Sequence, residues 1–427
     1  MTSENQDGQI AKKGLVAWCL YDWANSAFPT VVITFVFAAY FTKGVAKDFV
    51  TGTAQWGWAM SVSALGVAFI APILGSIADK GGRRKPWLLV FTVLTIIASA
   101  LLWQIKPNVS FVLLALILAG LGNFAFEMGM VFYNAMLPNI APRKMLGRWS
   151  GWGWGLGYIG GLSCLALTLV GFVQTETPWF GLNRDMAEHL RATPVLVAVW
   201  FALFAIPLFL FTPDQPSRRL SPMMAIRDGI RMLLATLKKI RSYSQIARYL
   251  LARMIYTDGI NTLFAFGGIY AAGTFGMPFS ELIMFGIAIN LTAGIGAAIF
   301  AWLDDKIGPK RVILIALVAL TILGGILLII QDKMLFWIFG VPLGLFVGPA
   351  QSASRSLMAH IAPTELRTEM FGLYAFSGKA TAFVGPALLA LATDMFQSQR
   401  AGMATILIFF LAGGFLLLPI VDAKIER

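Results

Sequence analysis

Apolar residues run along this chain in blocks of about 20, the length a helix needs to cross roughly 30 Å of hydrocarbon. Twelve such blocks are legible, at 15–41, 56–78, 87–105, 111–137, 150–172, 194–211, 249–275, 281–303, 312–330, 335–354, 371–394 and 401–421. A backbone in lipid must satisfy its own hydrogen bonds, and runs of this length are far too long for barrel strands. The pattern therefore predicts an all-α membrane protein and excludes a barrel. Residues 1–14 are polar and end in Lys12 and Lys13, and the apolar stretch that follows is too long for a cleavable signal, so it is expected to remain as the first helix.

Composition agrees with the pattern: 58% of residues are hydrophobic and 13% charged, against about a quarter charged in soluble domains. The net charge of +12 raises the question of nucleic acid, and its distribution answers it. With odd-numbered connections external, only Lys43, Lys47, Lys106, Arg184, Arg191, Lys333 and Arg400 fall outside, Lys379 falls within a helix, and the remaining Lys and Arg lie on the other side. That asymmetry puts both termini in the cytoplasm and leaves no compact basic module for nucleic acid. Cys19 and Cys164 fall inside membrane helices with no paired spacing, so no disulfide framework, metal site or cofactor is expected.

The longest connection, 212–248, divides the helices six and six, giving an N-terminal bundle at 1–211 and a C-terminal bundle at 249–427. Basic residues alternate with Met224, Ile226, Ile230, Leu233 and Leu234 there, which suits either a helix lying on the anionic leaflet or a plain connector. The halves echo each other three times. YDWAN (21–25) matches YTDGIN (256–261), each with Asp-x-x-Asn; GSIADKGGRRK (75–85) matches AWLDDKIGPKR (301–311); LPNIAPRKMLGRWSG (137–151) matches MAHIAPTELRTEMFG (358–372). Two parallel repeats about an axis along the membrane normal are the arrangement of major facilitator carriers.

The 75–85 string resembles that superfamily's loop between helices 2 and 3, at Gly75, Asp79, Lys80, Gly82, Arg83 and Arg84. Gly75 permits close helix approach, Gly82 a tight turn, and Asp79 can accept hydrogen bonds from a neighbouring helix N-terminus, latching the cytoplasmic side. The second copy keeps Asp305 and Gly308, but Ala301 and Pro309 replace a glycine and a basic residue, so a weaker latch is expected. YDWANSAF (21–28), QSASRSLMA (351–359) and GLYAFSGKATAFVGP (372–386) resemble the vacuole-effluxer-like branch, whose fungal members are associated with vacuolar amino-acid export. The resemblance covers essentially the whole chain. It implies the major facilitator fold, twelve helices in two pseudo-twofold-related six-helix bundles, and makes amino-acid efflux a candidate.

Ionisable residues inside apolar helices are costly, so Asp22, Glu127, Asp258 and Lys379 are the main functional pointers. Asn25 and Asn261 follow Asp22 and Asp258 by one turn on the same face. These pairs suit a substrate ammonium or a proton, and equally suit plain interhelical hydrogen bonding. Glu127 and Lys379 lie at comparable depth and can pair across the halves as a gate, or take separate partners. Gly155, Gly157 and Gly160 have G-x-G-x-x-G spacing, but no strand precedes them, so close helix contact is expected rather than a nucleotide. Gly372 to Gly378 with Lys379 fails as a P-loop. His189 and His360 are expected to be solvated, and Tyr21, Trp23 and Tyr374 to stack on a ligand or pack in the membrane. The expected protein is a monomeric secondary transporter of small polar solutes in a bacterial plasma membrane, with protons as coupling ion and uniport equally compatible. Uptake of sugars or organic acids, drug export, and a non-transporting solute sensor remain the alternatives; no catalytic constellation supports an enzyme.

Overall fold

The computed structural model describes residues 3–216, 243–277 and 279–421, with isolated positions between 224 and 235. The interfacial-helix expectation for 223–247 falls mostly outside these residues. Every regular element among the described residues is a helix. The long ones before the long connection are α1 (Ser3–Asn25), α2 (Phe49–Gly81), α3 (Lys85–Leu101), α4 (Val112–Ile140), α5 (Leu146–Thr168) and α6 (Glu188–Phe211). After it come α7 (Ser244–Phe275), α8 (Phe279–Ile307), α9 (Pro309–Ile329), α10 (Leu343–Ile361, preceded by Lys333–Gly340), α11 in two pieces (Arg367–Ser377 and Val384–Phe396) and α12 (Gln399–Leu417).

Among the described residues ten helices are long and apolar enough to cross a membrane. The two rods outside that set are α7, which carries Arg248, Arg253 and Asp258, and the divided α11. Across the other helices exposed faces keep large apolar side chains, among them Phe69 of α2, Leu113 of α4, Leu203 of α6, Ile322 of α9 and Phe415 of α12, while Asp79, Arg355 and Glu369 are buried. This inversion of a soluble protein suits a lipid solvent.

Local chemistry explains the irregularities. After Asn25 the chain of α1 continues as a π-helix over Phe28–Phe35, where Pro29 has no N–H to return to the preceding turn and Val36 N reaches back five residues to Val31 O. Gly82 and Gly308, at matching points of the repeat, take φ of +86° and +92° and end α2 and α8 before sharp turns, a conformation only glycine adopts freely.

The chain divides by contact into two compact units. The first holds Met1–Ala71, Lys80–Met136 and Leu156–Leu220; the second holds Pro72–Asp79, Leu137–Gly155 and Ser221–Arg427. Inside the first, Lys85 Nζ at the start of α3 donates to Phe209 O (2.7 Å) and Thr212 O (2.8 Å) at the end of α6. Arg191 at the start of α6 returns the favour, its Nε donating to Trp103 O just past α3 (2.9 Å). The second unit repeats the device on α9 and α12: Lys310 Nζ donates to Leu418 O and Ile420 O, and Arg400 Nη2 to Ile330 O. Each antiparallel pair is thus stapled at both ends by a cation on terminal carbonyls, which lack partners within their own helices.

Candidate functional site

In the second unit both copies of the loop motif act as helix caps. Asp79, in the last turn of α2, accepts from Thr368 Oγ1 (2.6 Å) and Glu369 N (2.9 Å) in the first turn of α11. Gly75, one turn earlier, makes this approach possible, since a Cβ there would lie 2.6 Å from Thr368 O. Asp305, at the end of α8, accepts from Arg148 N (3.0 Å) in the first turn of α5 and pairs with Arg148 Nε at 3.3 Å. A carboxylate at a helix N-terminus meets unsatisfied N–H groups and the positive end of the helix dipole.

Ala301 does not keep this second pair apart, because the space is supplied from the other side. A Cβ on Gly147 would lie 2.3 Å from Asp304 Cγ, and one on Gly151 would lie 2.5 Å from Ala297 O. The glycines stand on the opposite helix, so Ala301 by itself does not hold the second pair apart. Of the basic positions, Lys80 is half-buried and Arg83 exposed, while Arg84 is buried with its backbone N–H, like that of Lys85, donating to Asp214 inside the first unit.

Two further arginines secure the same region of the second unit. Arg355, 1% exposed, donates through Nε to Ser150 Oγ (2.9 Å) and through Nη2 to Ser150 O (2.6 Å). Arg367 donates to Asn139 Oδ1. Sequence reasoning passed over both, because they lie beyond the predicted ends of spans and counted only towards topology. The α10 helix runs on through Arg355 to Ile361, and His360 in its last turn is bound to Ser356 O rather than solvated.

The predicted intramembrane set is distributed over both units. In the first, Asp22 and Asn25 of α1 are buried, and Asn25 Nδ2 points at Met130 Sδ (3.4 Å). The glycine run of α5 packs on this stretch: a Cβ on Gly157 would lie 2.7 Å from Ser26 Oγ and one on Gly160 2.4 Å from Trp23 O. Close helix contact, not nucleotide binding, is what the spacing serves. Glu127 is half-buried on α4. Tyr21 stacks on Tyr133 and is hydrogen-bonded to Thr92, and Trp23, half-buried, stacks on Trp200.

In the second unit Asp258 is buried and Asn261 exposed. Lys379 does not lie in a continuous helix as the apolar run predicted; it sits in the turn at 378–383 that interrupts α11. Pro386, close to the start of the second piece, cannot donate to the turn before it, and the groups freed by the break are taken by α7. Arg253 Nη1 donates to Tyr374 O (2.6 Å) and Ser377 Oγ (2.8 Å) at the C-terminus of the first piece, its guanidinium 3.4 Å from the Tyr374 ring centroid. Asp258 Oδ2 accepts from Gly385 N (3.1 Å) at the N-terminus of the second. A cation meets the negative end of one half-helix and an anion the positive end of the next, both from one helix. Arg253 was missed at the sequence level, although an arginine five positions before an aspartate within one apolar span was the available signal.

The family model described as "Vacuole effluxer Atg22 like" matches residues 50–426. An MFS-type transporter of Bacillus subtilis (strain 168), YxiO, is 28% identical over 400 residues, covering 93% of this chain and 92% of that protein. Autophagy-related protein 22 of Cryptococcus neoformans is 24% identical over 282 residues, 61% of this chain, and the match spans about half (48%) of the fungal protein. Among solved structures, the MFS proton:xylose symporter XylE superposes with a TM-score of 0.76 at 13% identity over 98% of both chains. The human organic anion transporter MFSD10 gives 0.70 at 14% identity, over 95% of this chain and 99% of its own.

Proposed function

Since the chain belongs to the vacuole effluxer Atg22-like family of the major facilitator superfamily, and is therefore a multi-pass membrane transporter rather than an enzyme, we propose that it exports small zwitterionic solutes, amino acids foremost, by alternating access. The observation that carries this reading is the pair of carboxylate caps, Asp79 on α11 and Asp305 on α5. Each is a contact of modest strength between separate helices, which suits a barrier that must open and close in every cycle. The two bundles, 1–211 and 249–427, rock about a central path, the carrier works as a monomer, and its basic connections and both termini lie in the cytoplasm. The plasma membrane is the proposed location, supported by the near-complete match to a bacterial relative. Asp22, Asn25, Glu127, Asp258, Asn261 and Lys379 are the proposed solute- and proton-handling residues, and protons drive the cycle.

The test is counterflow. Proteoliposomes preloaded with unlabelled amino acids should accumulate a radiolabelled amino-acid mixture, and protein-free vesicles should not. Absence of exchange for every amino acid, with a correctly folded protein in the membrane, would remove the proposal.

A further inference from the structure

The break in α11 exists only in the second repeat. Its counterpart in α5 is an unbroken glycine-rich helix packed on α1, whereas the second piece of α11 begins against a buried carboxylate. Asp258 is 3% exposed, and only Oδ2 is engaged, by Gly385 N at 3.1 Å. Among the described residues no donor reaches Oδ1, although it is buried. The Thr262 hydroxyl stands one turn away and gives its proton to the main-chain oxygen of Asp258 instead (2.8 Å). Nor is there space for a further side chain: a Cβ on Gly385 would lie 3.2 Å from Oδ1 and 2.1 Å from Thr262 Oγ1.

The surrounding charges are few and committed. On α7 itself, Arg253 is held by Tyr374 and Ser377, and Tyr256 shares its hydroxyl with Ser354 Oγ. The break contributes Lys379, and α12 brings Phe409 and Phe410 against Gly259, beside Asp258. A carboxylate has about four acceptor sites, and one hydrogen bond with a half-helix dipole does not offset the desolvation of a full charge. Adding a proton at Oδ1 removes that charge, needs no new space, and leaves the Gly385 bond on Oδ2.

We propose that Asp258 is the proton-binding carboxylate of the carrier, taking its proton on Oδ1, and that its ionisation sets the grip of α7 on the second piece of α11. This rests on the transport reading above. A proton arrives from water and forms the O–H bond at Oδ1, the carboxylate becomes a neutral acid, and the charge-assisted bond to Gly385 N–H weakens to an ordinary one. Loss of the proton back to water restores the anion and its hold. The first piece of α11 is fixed at both ends, by Asp79 at Thr368 and Glu369 and by Arg253 at Tyr374, so the turn at 378–383 lets the second piece respond separately. Loading of one atom is thereby linked to the helix that also carries the latch.

The experiment has two arms on the full-length protein. In the first, infrared difference spectra of purified protein across a pH titration should contain a carboxylic acid C=O band that is absent in Asp258→Asn. Gly385→Ala, which keeps the aspartate but crowds Oδ1, should shift the midpoint of that band. Persistence of the band in Asp258→Asn, or an unshifted midpoint in Gly385→Ala, overturns the assignment. In the second arm, Asp258→Asn in proteoliposomes with the labelled amino-acid mixture should lose the stimulation of transport that an imposed pH gradient gives the wild type. Gradient stimulation equal to wild type overturns it. If Asp258→Asn abolishes counterflow and wild type has no titrating band, Oδ1 holds a substrate ammonium and the proton assignment falls. Absence of wild-type counterflow would instead strike the transport reading, leaving the infrared arm to decide the proton site.

Discussion

Gly160 is the position in the first unit where one methyl group does most damage, because it would lie 2.4 Å from Trp23 O, 2.7 Å from Trp23 Cα and 2.9 Å from Trp23 C, all rigid main chain. Overfilling a close-packed contact of this kind costs about 1–3 kcal/mol, and more where backbone must yield. Gly160→Val is therefore expected to lower the melting temperature of the purified protein in thermal-shift measurements. Gly57→Ala, with nothing within 4 Å of the added Cβ, should leave it unchanged or slightly raised; equal effects at the two sites would refute the packing argument. The spacing of these glycines was legible as a helix contact because smallness is a property of the residue itself. The roles of Tyr21, Trp23 and Tyr374 were not, since an aromatic face is defined by what covers it. The covers, Tyr133, Trp200 and Arg253, lie far away in sequence.

Between helices, the staples of the two units show what a charge count overlooks. Lys85, Arg191, Lys310 and Arg400 entered the sequence reading as markers of membrane sidedness, yet each closes the carbonyl end of a neighbouring helix. A cation at a helix C-terminus in partly buried surroundings contributes up to about 2 kcal/mol. Lys85→Met and Lys310→Met are each expected to destabilise the protein by about 1–2 kcal/mol in denaturant-induced unfolding, with nearly additive losses in the double variant, as they sit in separate units and share no partner. Strong non-additivity would mean that the staples act through a shared structure. Among the described residues ten helices are long and apolar enough to cross a membrane, and α7 and the divided α11, also read as spans from their apolar runs, fall outside that set. The break in α11 was hidden because its freed carbonyl and N–H are satisfied by Arg253 and Asp258 of another helix, and hydropathy carries no trace of that exchange.

Across the whole molecule the loop motif was the most legible feature, since two aspartates and two left-handed glycines at fixed spacing specify a turn and a cap whatever surrounds them. What the motif could not reveal is that the chain's compact units do not follow its repeats: Pro72–Asp79 and Leu137–Gly155 come from the first half of the sequence and pack within the second unit. If alternating access requires these segments to come away, the caps set how often they do so. Removing about 1.4 kcal/mol from one of two balanced states changes their ratio about tenfold, and a charged cap contributes on that order. Ser76, fully buried three residues before Asp79, is a suitable reporter, because the native thiols Cys19 and Cys164 are buried as well. In a Ser76→Cys background, Asp79→Asn and Asp305→Asn are each expected to raise the rate of maleimide labelling about tenfold, with a larger rise in the double variant. Melting temperature measured alongside distinguishes opening from unfolding: labelling that rises at unchanged stability supports the caps as a latch, and labelling that stays at the background rate in the double variant shows that some other contact keeps the segments in place.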